Sequence, residues 1–109
     1  MPDRKYLQRI ELLRGTGRIY EGSQEIATAN YHIEVFQEKI ECITDTGMST
    51  VGGLKELCGT IDPVDSSIRV LFGKDLTLVF EDGRKVDFAV SNANISANTG
   101  SIVASSGIR

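Results

Sequence analysis

Leu76-Thr77-Leu78-Val79-Phe80-Glu81-Asp82-Gly83-Arg84-Lys85-Val86-Asp87-Phe88-Ala89-Val90 decides the fold. Leu76, Leu78 and Phe80 fall on one parity, and so do Val86, Phe88 and Val90 beyond the break. Side chains of a strand alternate between its two faces, so each run has one apolar face and one wetter face. Asp82-Gly83 between two such runs is the strongest short-range hairpin signal, because a tight primed turn needs positive φ at its centre. This segment predicts an antiparallel hairpin with its apolar face turned to a core.

Upstream, Ala27, Ala29, Tyr31, Ile33 and Val35 alternate with Thr28, Asn30, His32 and Glu34, which predicts a second half-buried strand. Its rhythm shifts at Phe36-Gln37 and resumes through Lys39-Ile40-Glu41-Cys42, as at a bulge or strong bend. Gly17-Arg18-Ile19-Tyr20 reads as its partner across a Glu21-Gly22-Ser23 turn. Thr44 to Gly53, with three glycines among Ser and Thr, reads as a loop. Leu54 to Ile61 reads as a strand that Asp62-Pro63 stops. Ser67 to Phe72 fits a strand or a short helix capped by Asp65 or Ser66 and ended at Gly73. Ser101 to Ala104 reads as a last short strand after the polar run Asn92 to Gly100.

The expected fold is therefore mainly β: a small antiparallel barrel or compact sandwich of five to seven strands, with one or two short helices over an open end. Its expected organisation is a basic N-terminal segment, helix or strand, over residues 1–14, one β domain over 15–104 and a frayed end over 105–109. A chain of 109 residues with 40% apolar and 25% charged residues suits one such domain.

The formal charge is −3, which argues against non-specific nucleic-acid binding. It is unevenly spread. Residues 1–18 hold five basic groups against Asp3 and Glu11, and the remainder holds seven basic against thirteen acidic groups. Either the basic segment lies on the acidic body, or it serves as an arm for an anionic partner. No stretch approaches the roughly 20 apolar residues of a membrane span. No secretory apolar core follows Met1-Pro2-Asp3-Arg4-Lys5, so the cytoplasm is the expected location. Cys42 and Cys58 have no zinc spacing and are expected as free, buried thiols, with a disulfide between neighbouring strands left open.

The search for chemistry returns little. His32 is the single histidine and lies on the wet parity of its strand, without local partners for a triad or a zinc site. Asp62 and Asp65 read as turn and cap residues, and Glu81 and Asp82 sit on a hairpin tip where water solvates them. Arg14-Gly15-Thr16-Gly17-Arg18 lacks the third glycine and the lysine of a phosphate loop, so its glycines fit a bent strand better.

Along the chain, Gly15-Thr16-Gly17-Arg18-Ile19, Ile26 to Val35, Gly59-Thr60-Ile61-Asp62 and Leu76 to Arg84 together resemble small bacterial β-barrel-like proteins of unassigned function that carry an L-x-L-x-x-E-D-G-R hairpin. The likeness spans most of residues 15–90 and implies neither an activity nor a catalytic residue.

The expected function is a non-catalytic binding or protein-interaction module, with a protein partner or self-association, no membrane role and no cofactor. The alternative is a small barrel that binds a small anion, a nucleotide or single-stranded nucleic acid through the basic segment. Arg14, Arg18 and His32 are the candidate contacts to ligand or partner.

Overall fold

In the computed structural model, six antiparallel strands form one sheet that closes on itself in the order β1-β2-β3-β6-β5-β4. The structure describes the backbone of residues 4–44 and 47–109 and the side chains of residues 6–39 and 55–109. The strands are β1 (Arg4–Glu21), β2 (Gln24–Thr44), β3 (Gly47–Pro63), β4 (Leu76–Val79), β5 (Lys85–Asn94) and β6 (Thr99–Ala104), with one short helix, α1 (Ile68–Leu71). The seam is short: Arg18–Tyr20 of β1 pairs with Thr77–Val79 of β4.

The alternating runs become the barrel wall. Ala27, Ala29, Tyr31, Ile33 and Val35 all point inward and are buried, while Thr28, His32 and Glu34 on the opposite parity are half-buried and Asn30 is exposed. Ala27, Ala29, Tyr31 and Ile33 pack with Ile19, Ile61, Leu76, Leu78, Phe80, Val86, Phe88, Val90 and Ile102. Tyr31 and Phe80 meet edge to face at 4.9 Å, a favoured aromatic geometry.

Two glycines give the wall its close approaches. A Cβ on Gly17 would lie 2.5 Å from the Val79 carbonyl oxygen, and one on Gly59 would lie 2.2 Å from the His32 carbonyl oxygen. These obstacles are backbone, so β1 closes on β4 and β3 crosses β2 only where no side chain intervenes.

α1 plugs one end of the barrel with Ile68 and Leu71, both fully buried. The cap is Ser67, one position beyond the expected Asp65 or Ser66; its hydroxyl accepts from the Arg69 N–H at 3.2 Å. Asp65 instead accepts from the Thr28 N–H at 2.9 Å. Asn98, at φ 54° in the β5–β6 turn, holds the plug in place. Its side chain accepts from the Ile68 N–H at 2.7 Å and donates to the Pro63 and Ser66 carbonyls, each at 3.1 Å.

Three expectations need correction. The Asp82-Gly83 hairpin forms, but its loop is three residues long: the Gly83 N–H donates to the Phe80 carbonyl at 3.0 Å, and Gly83 alone takes positive φ there, at 89°. A type I turn followed by a left-handed glycine makes this geometry, in place of the two-residue primed turn. Of the two alternatives for the N-terminal segment, residues 4–14 take the strand, continuous with the rest of β1, because β2 offers them a ladder from Arg4↔Glu41 to Arg14↔His32. The expected loop from Thr44 to Gly53 is strand from Gly47 onward, paired with the far end of β2 from Thr44↔Gly47 to Lys39↔Gly52. Finally, residues 105–109 do not fray. The Ser105 N–H donates to the Asp87 carbonyl at 2.8 Å, and Lys85 and Arg109 exchange backbone bonds at 2.8 and 2.9 Å.

Candidate functional site

β1, β2 and β3 are far longer than the barrel requires. β3 pairs with β6 over Cys58–Ile61, and β1 pairs with β4 over Arg18–Tyr20. Beyond those ladders the three strands continue as an antiparallel arm, made of β1 over 4–13, β2 over 36–44 and β3 over 47–57. The arm accounts for the principal extents of 57 × 28 × 20 Å and a radius of gyration of 16.9 Å. A compact chain of about 100 residues has a radius near 13 Å. The ladder shifts where the arm begins, between Arg9 and Glu11 on β1 and opposite Gln37–Lys39 on β3. The parity change expected in β2 near Phe36 thus has its irregularities on the two flanking strands, while β2 runs through.

β1 of the arm is exposed and apolar. Tyr6 is 36% exposed, Leu7 52%, Ile10 42% and Leu12 39%. Scattered exposed apolar residues are ordinary on any surface, but four within seven positions of one strand make a patch. Its outward edge carries no described ladder before Arg18. Strand edges of this kind are templates for pairing with another chain.

Under the arm, at the barrel end opposite α1, lies an open cleft of about 880 Å³. Ile10 and Leu57 line it from the arm side, and Val35, Val103, Ala104 and Ile108 from the barrel side. Glu11 and Arg84 tie the two sides together. The Arg84 guanidinium donates to both Glu11 carboxylate oxygens, at 3.2 and 3.0 Å, and its Nε donates to Asp82 Oδ2 at 2.7 Å. These charge-assisted bonds, that to Glu11 first, hold the guanidinium in its charged form. The Arg84 N–H, followed by its side chain, pulls the Asp82 carboxyl below its ordinary range. Across the same wall, Arg109 donates to Asp87 at 3.0 Å and to Ser106 Oγ at 3.1 Å, and lowers the Asp87 carboxyl.

The three residues singled out in the sequence separate into two groups. Arg14 and His32 face each other across the β1–β2 ladder, and Arg14 Nε donates to His32 Nδ1 at 3.2 Å. Because Nδ1 accepts, the ring proton sits on Nε2, 3.2 Å from Glu34 Oε1. His32 is therefore half-buried and bonded on both sides, unlike the exposed histidine expected. Arg18 lies four residues further on and reaches Glu25 at 3.6 Å. About 13 Å of strand separates the two arginines.

Arg14 to Arg18 is strand interior, as its glycines suggested. The Thr16 N–H, the donor that an anion cradle would offer, is taken at 2.9 Å by the Glu81 carboxylate.

Cys58 is exposed rather than buried, since it stands on the outer parity of β3 opposite Glu34. Partial burial first, then Glu34 and Glu56, push its thiol up, away from the reactive thiolate. Cys42 is outside the residues with described side chains, but its register opposite Ser49 lies eight positions along β2 from Glu34. That is about 26 Å, far beyond disulfide reach. Among the described residues no three His, Cys, Asp or Glu side chains group to hold a metal, and no helix is long and apolar enough to cross a membrane.

Sequence reasoning passed over Glu11 and Arg84, and did not mark Tyr6, Leu7, Ile10 and Leu12 as a surface. A signal for the first pair was present: Glu11 shares the inward parity of Leu13, Gly15, Gly17 and Ile19, where a carboxylate needs a partner. For the second group, the shift at Ile10 erased the alternation that would have marked a strand. No protein-family model, curated protein or solved structure matches this chain.

Proposed function

We propose that this protein is a non-catalytic protein-interaction module, with the arm as its binding surface and the barrel as the frame that holds it out. The observation that carries this reading is the row Tyr6, Leu7, Ile10 and Leu12, exposed on a strand whose outward edge has no described ladder before Arg18. An apolar row on an open strand edge favours association, by strand addition or by face-to-face packing. The non-catalytic part is supported by the state of the reactive groups: both His32 nitrogens have partners, and the Cys58 thiol is pushed up. A free, exposed Cys58 fits a reducing compartment, in keeping with a cytoplasmic location.

Selection of peptides from a displayed library on the full chain tests the reading. The selected peptides are expected to lose binding to Leu7→Ser/Leu12→Ser, with the far-ultraviolet circular dichroism of the barrel unchanged. Binders indifferent to those substitutions, or no binders, would contradict it. Association of two copies by their arms is one form of the same proposal. Light scattering reads it as a mass that grows with concentration and ceases to grow in the double variant.

The small-anion alternative draws less support, because Arg14 turns to His32, Arg18 to Glu25 and the Thr16 N–H to Glu81.

A further inference from the structure

We infer that His32 is a proton-operated latch at the root of the arm: the neutral ring ties Arg14 to Glu34, and the protonated ring keeps Glu34 and releases Arg14. The latch sits on the barrel wall where the arm begins and does not depend on what the arm binds. Its first support is the chemistry of a ring held on both sides. Arg14 Nε donates to His32 Nδ1 at 3.2 Å, and His32 Nε2 lies 3.2 Å from Glu34 Oε1. An imidazole has three states, and each treats these two contacts differently. With its proton on Nε2, the ring accepts from Arg14 and donates to Glu34, so both contacts are hydrogen bonds. With its proton on Nδ1, the ring turns an N–H to an N–H and a lone pair to a carboxylate, so neither contact is a bond. With both nitrogens protonated, the bond to Glu34 gains charge and the bond from Arg14 is lost, because Nδ1 has no lone pair left to accept it. Two positive groups then stand where a donor met an acceptor, and their repulsion moves the long, exposed Arg14 side chain away.

The second support is the surroundings of the ring. The His32 side chain is 39% exposed, so protons reach it from solvent. Thr60 lies opposite on β3, and Ser101 of β6 beyond it adds a hydroxyl and no charge. Asn30, two residues back on β2, accepts from Thr16 at 2.7 Å, which turns that pair toward each other. The charged and titratable groups around the ring are Arg14 from β1, Glu34 from β2 and, from β3, Asp62 and Cys58 on the same face, with Glu56 beyond Cys58. Imidazole is the side chain whose charge ordinarily changes between about pH 5 and 8. Arginine keeps its charge throughout that window, and carboxylates as a class titrate below it. The Cys58 thiol is pushed up and away from it.

The position gives the latch its consequence. Leu12, at the barrel end of the exposed apolar row, lies two residues before Arg14 and opposite Glu34. In neutral solution Arg14 is drawn across the ladder to β2, and the root of the arm carries a ring-bridged ion pair without net charge. In acid it carries His32 bonded to Glu34 and a released guanidinium near Leu12. The root of the arm thereby gains one positive charge.

Magnetic resonance of the nitrogen-labelled full chain tests the latch. His32 is the single histidine, so its ring signals are identified directly. At about pH 8 the ring proton is expected on Nε2 and not on Nδ1. The Arg84 Nε–H serves as internal reference: it donates to Asp82, whose carboxyl titrates below its ordinary range and remains a partner in mild acid. As the ring takes its second proton, solvent exchange of the Arg14 Nε–H should rise relative to that of Arg84 by about fivefold or more. His32→Asn sets an amide oxygen near the place of Nδ1 and removes the titration, so the ratio should keep its neutral value down to about pH 5. A proton on Nδ1 at about pH 8, an Arg14 to Arg84 ratio indifferent to the titration of the ring, or the same pH dependence in His32→Asn would each overturn the latch. The first two outcomes are read on the unaltered chain and stand even where the variant fails to fold.

Discussion

The barrel and the arm are cut from the same three strands and teach opposite uses of one pattern. In the barrel, β2 turns Ala27 to Val35 inward against five other strands, and those side chains are 6% exposed or less. In the arm, the same strand has one neighbour on each side and no opposing wall, while Tyr6, Leu7, Ile10 and Leu12 on adjacent β1 remain 36–52% exposed. The barrel satisfies its edges by closure, and the arm leaves two of them outward. What differs is not propensity but what lies across the sheet. A strand with a wall opposite stabilises the fold, and a strand without one is available to a partner.

That contrast is sharpest in the core. Phe88→Ala should cost about 3–5 kcal/mol, because the ring is 1% exposed and its neighbours cannot collapse into the void. Urea unfolding measures it, and a loss under about 1 kcal/mol would mean that the barrel interior is not close-packed. Gly59→Ala comes next, at about 1–3 kcal/mol, since the added Cβ meets the His32 carbonyl oxygen at 2.2 Å and backbone must move. Asn98→Ala removes the bond from the Ile68 N–H and those to the Pro63 and Ser66 carbonyls, at a cost of about 1–3 kcal/mol. Its local signature should be faster amide exchange in α1, with the arm unchanged.

The bracket between the two regions should respond to acid. The Asp82 and Asp87 carboxyls titrate below their ordinary range in the folded chain. Their contribution is therefore complete above about pH 4 and is lost as pH falls through the lowered folded values. Stability measured from pH 6 downward should stay flat to about pH 4 and then decline. Arg84→Ala and Arg109→Ala should each shallow that decline. The smallest effect belongs to the arm: Leu7→Ala should change stability by about 0.5 kcal/mol or less while weakening peptide binding. A large destabilisation there would show that the arm is part of the folding core and not a projection from it.

The barrel was legible in the sequence because its period of two is uninterrupted where the walls face each other. Ala27 to Val35, Leu76 to Phe80 and Val86 to Val90 each name their inward residues, and all of those are buried. The helical alternative over 66–72 was legible as an alternative only, since Ile68, Val70 and Phe72 alternate as in a strand although Ile68 and Leu71 form the plug. The arm was not legible. The ladder shift beside Ile10 breaks the alternation of β1, and the glycines of β3 read as loop residues until the length of β2 is known. Of the candidate contacts, the Arg14–His32 pairing depends on register across a turn. Arg18 and Arg14 share a strand face but not a partner, which composition alone cannot separate.

Residue-resolved amide exchange on the free chain at low concentration tests most directly the claim that one sheet serves as closed barrel below and open arm above. The slowest amides are expected in Ala27–Val35 and Val86–Val90, which exchange through global unfolding. Those of Tyr6–Leu13 should exchange about a hundredfold faster or more. Equal protection along the whole of β1, from the arm through the seam at Arg18–Tyr20, would contradict the division of the molecule into a frame and a free edge.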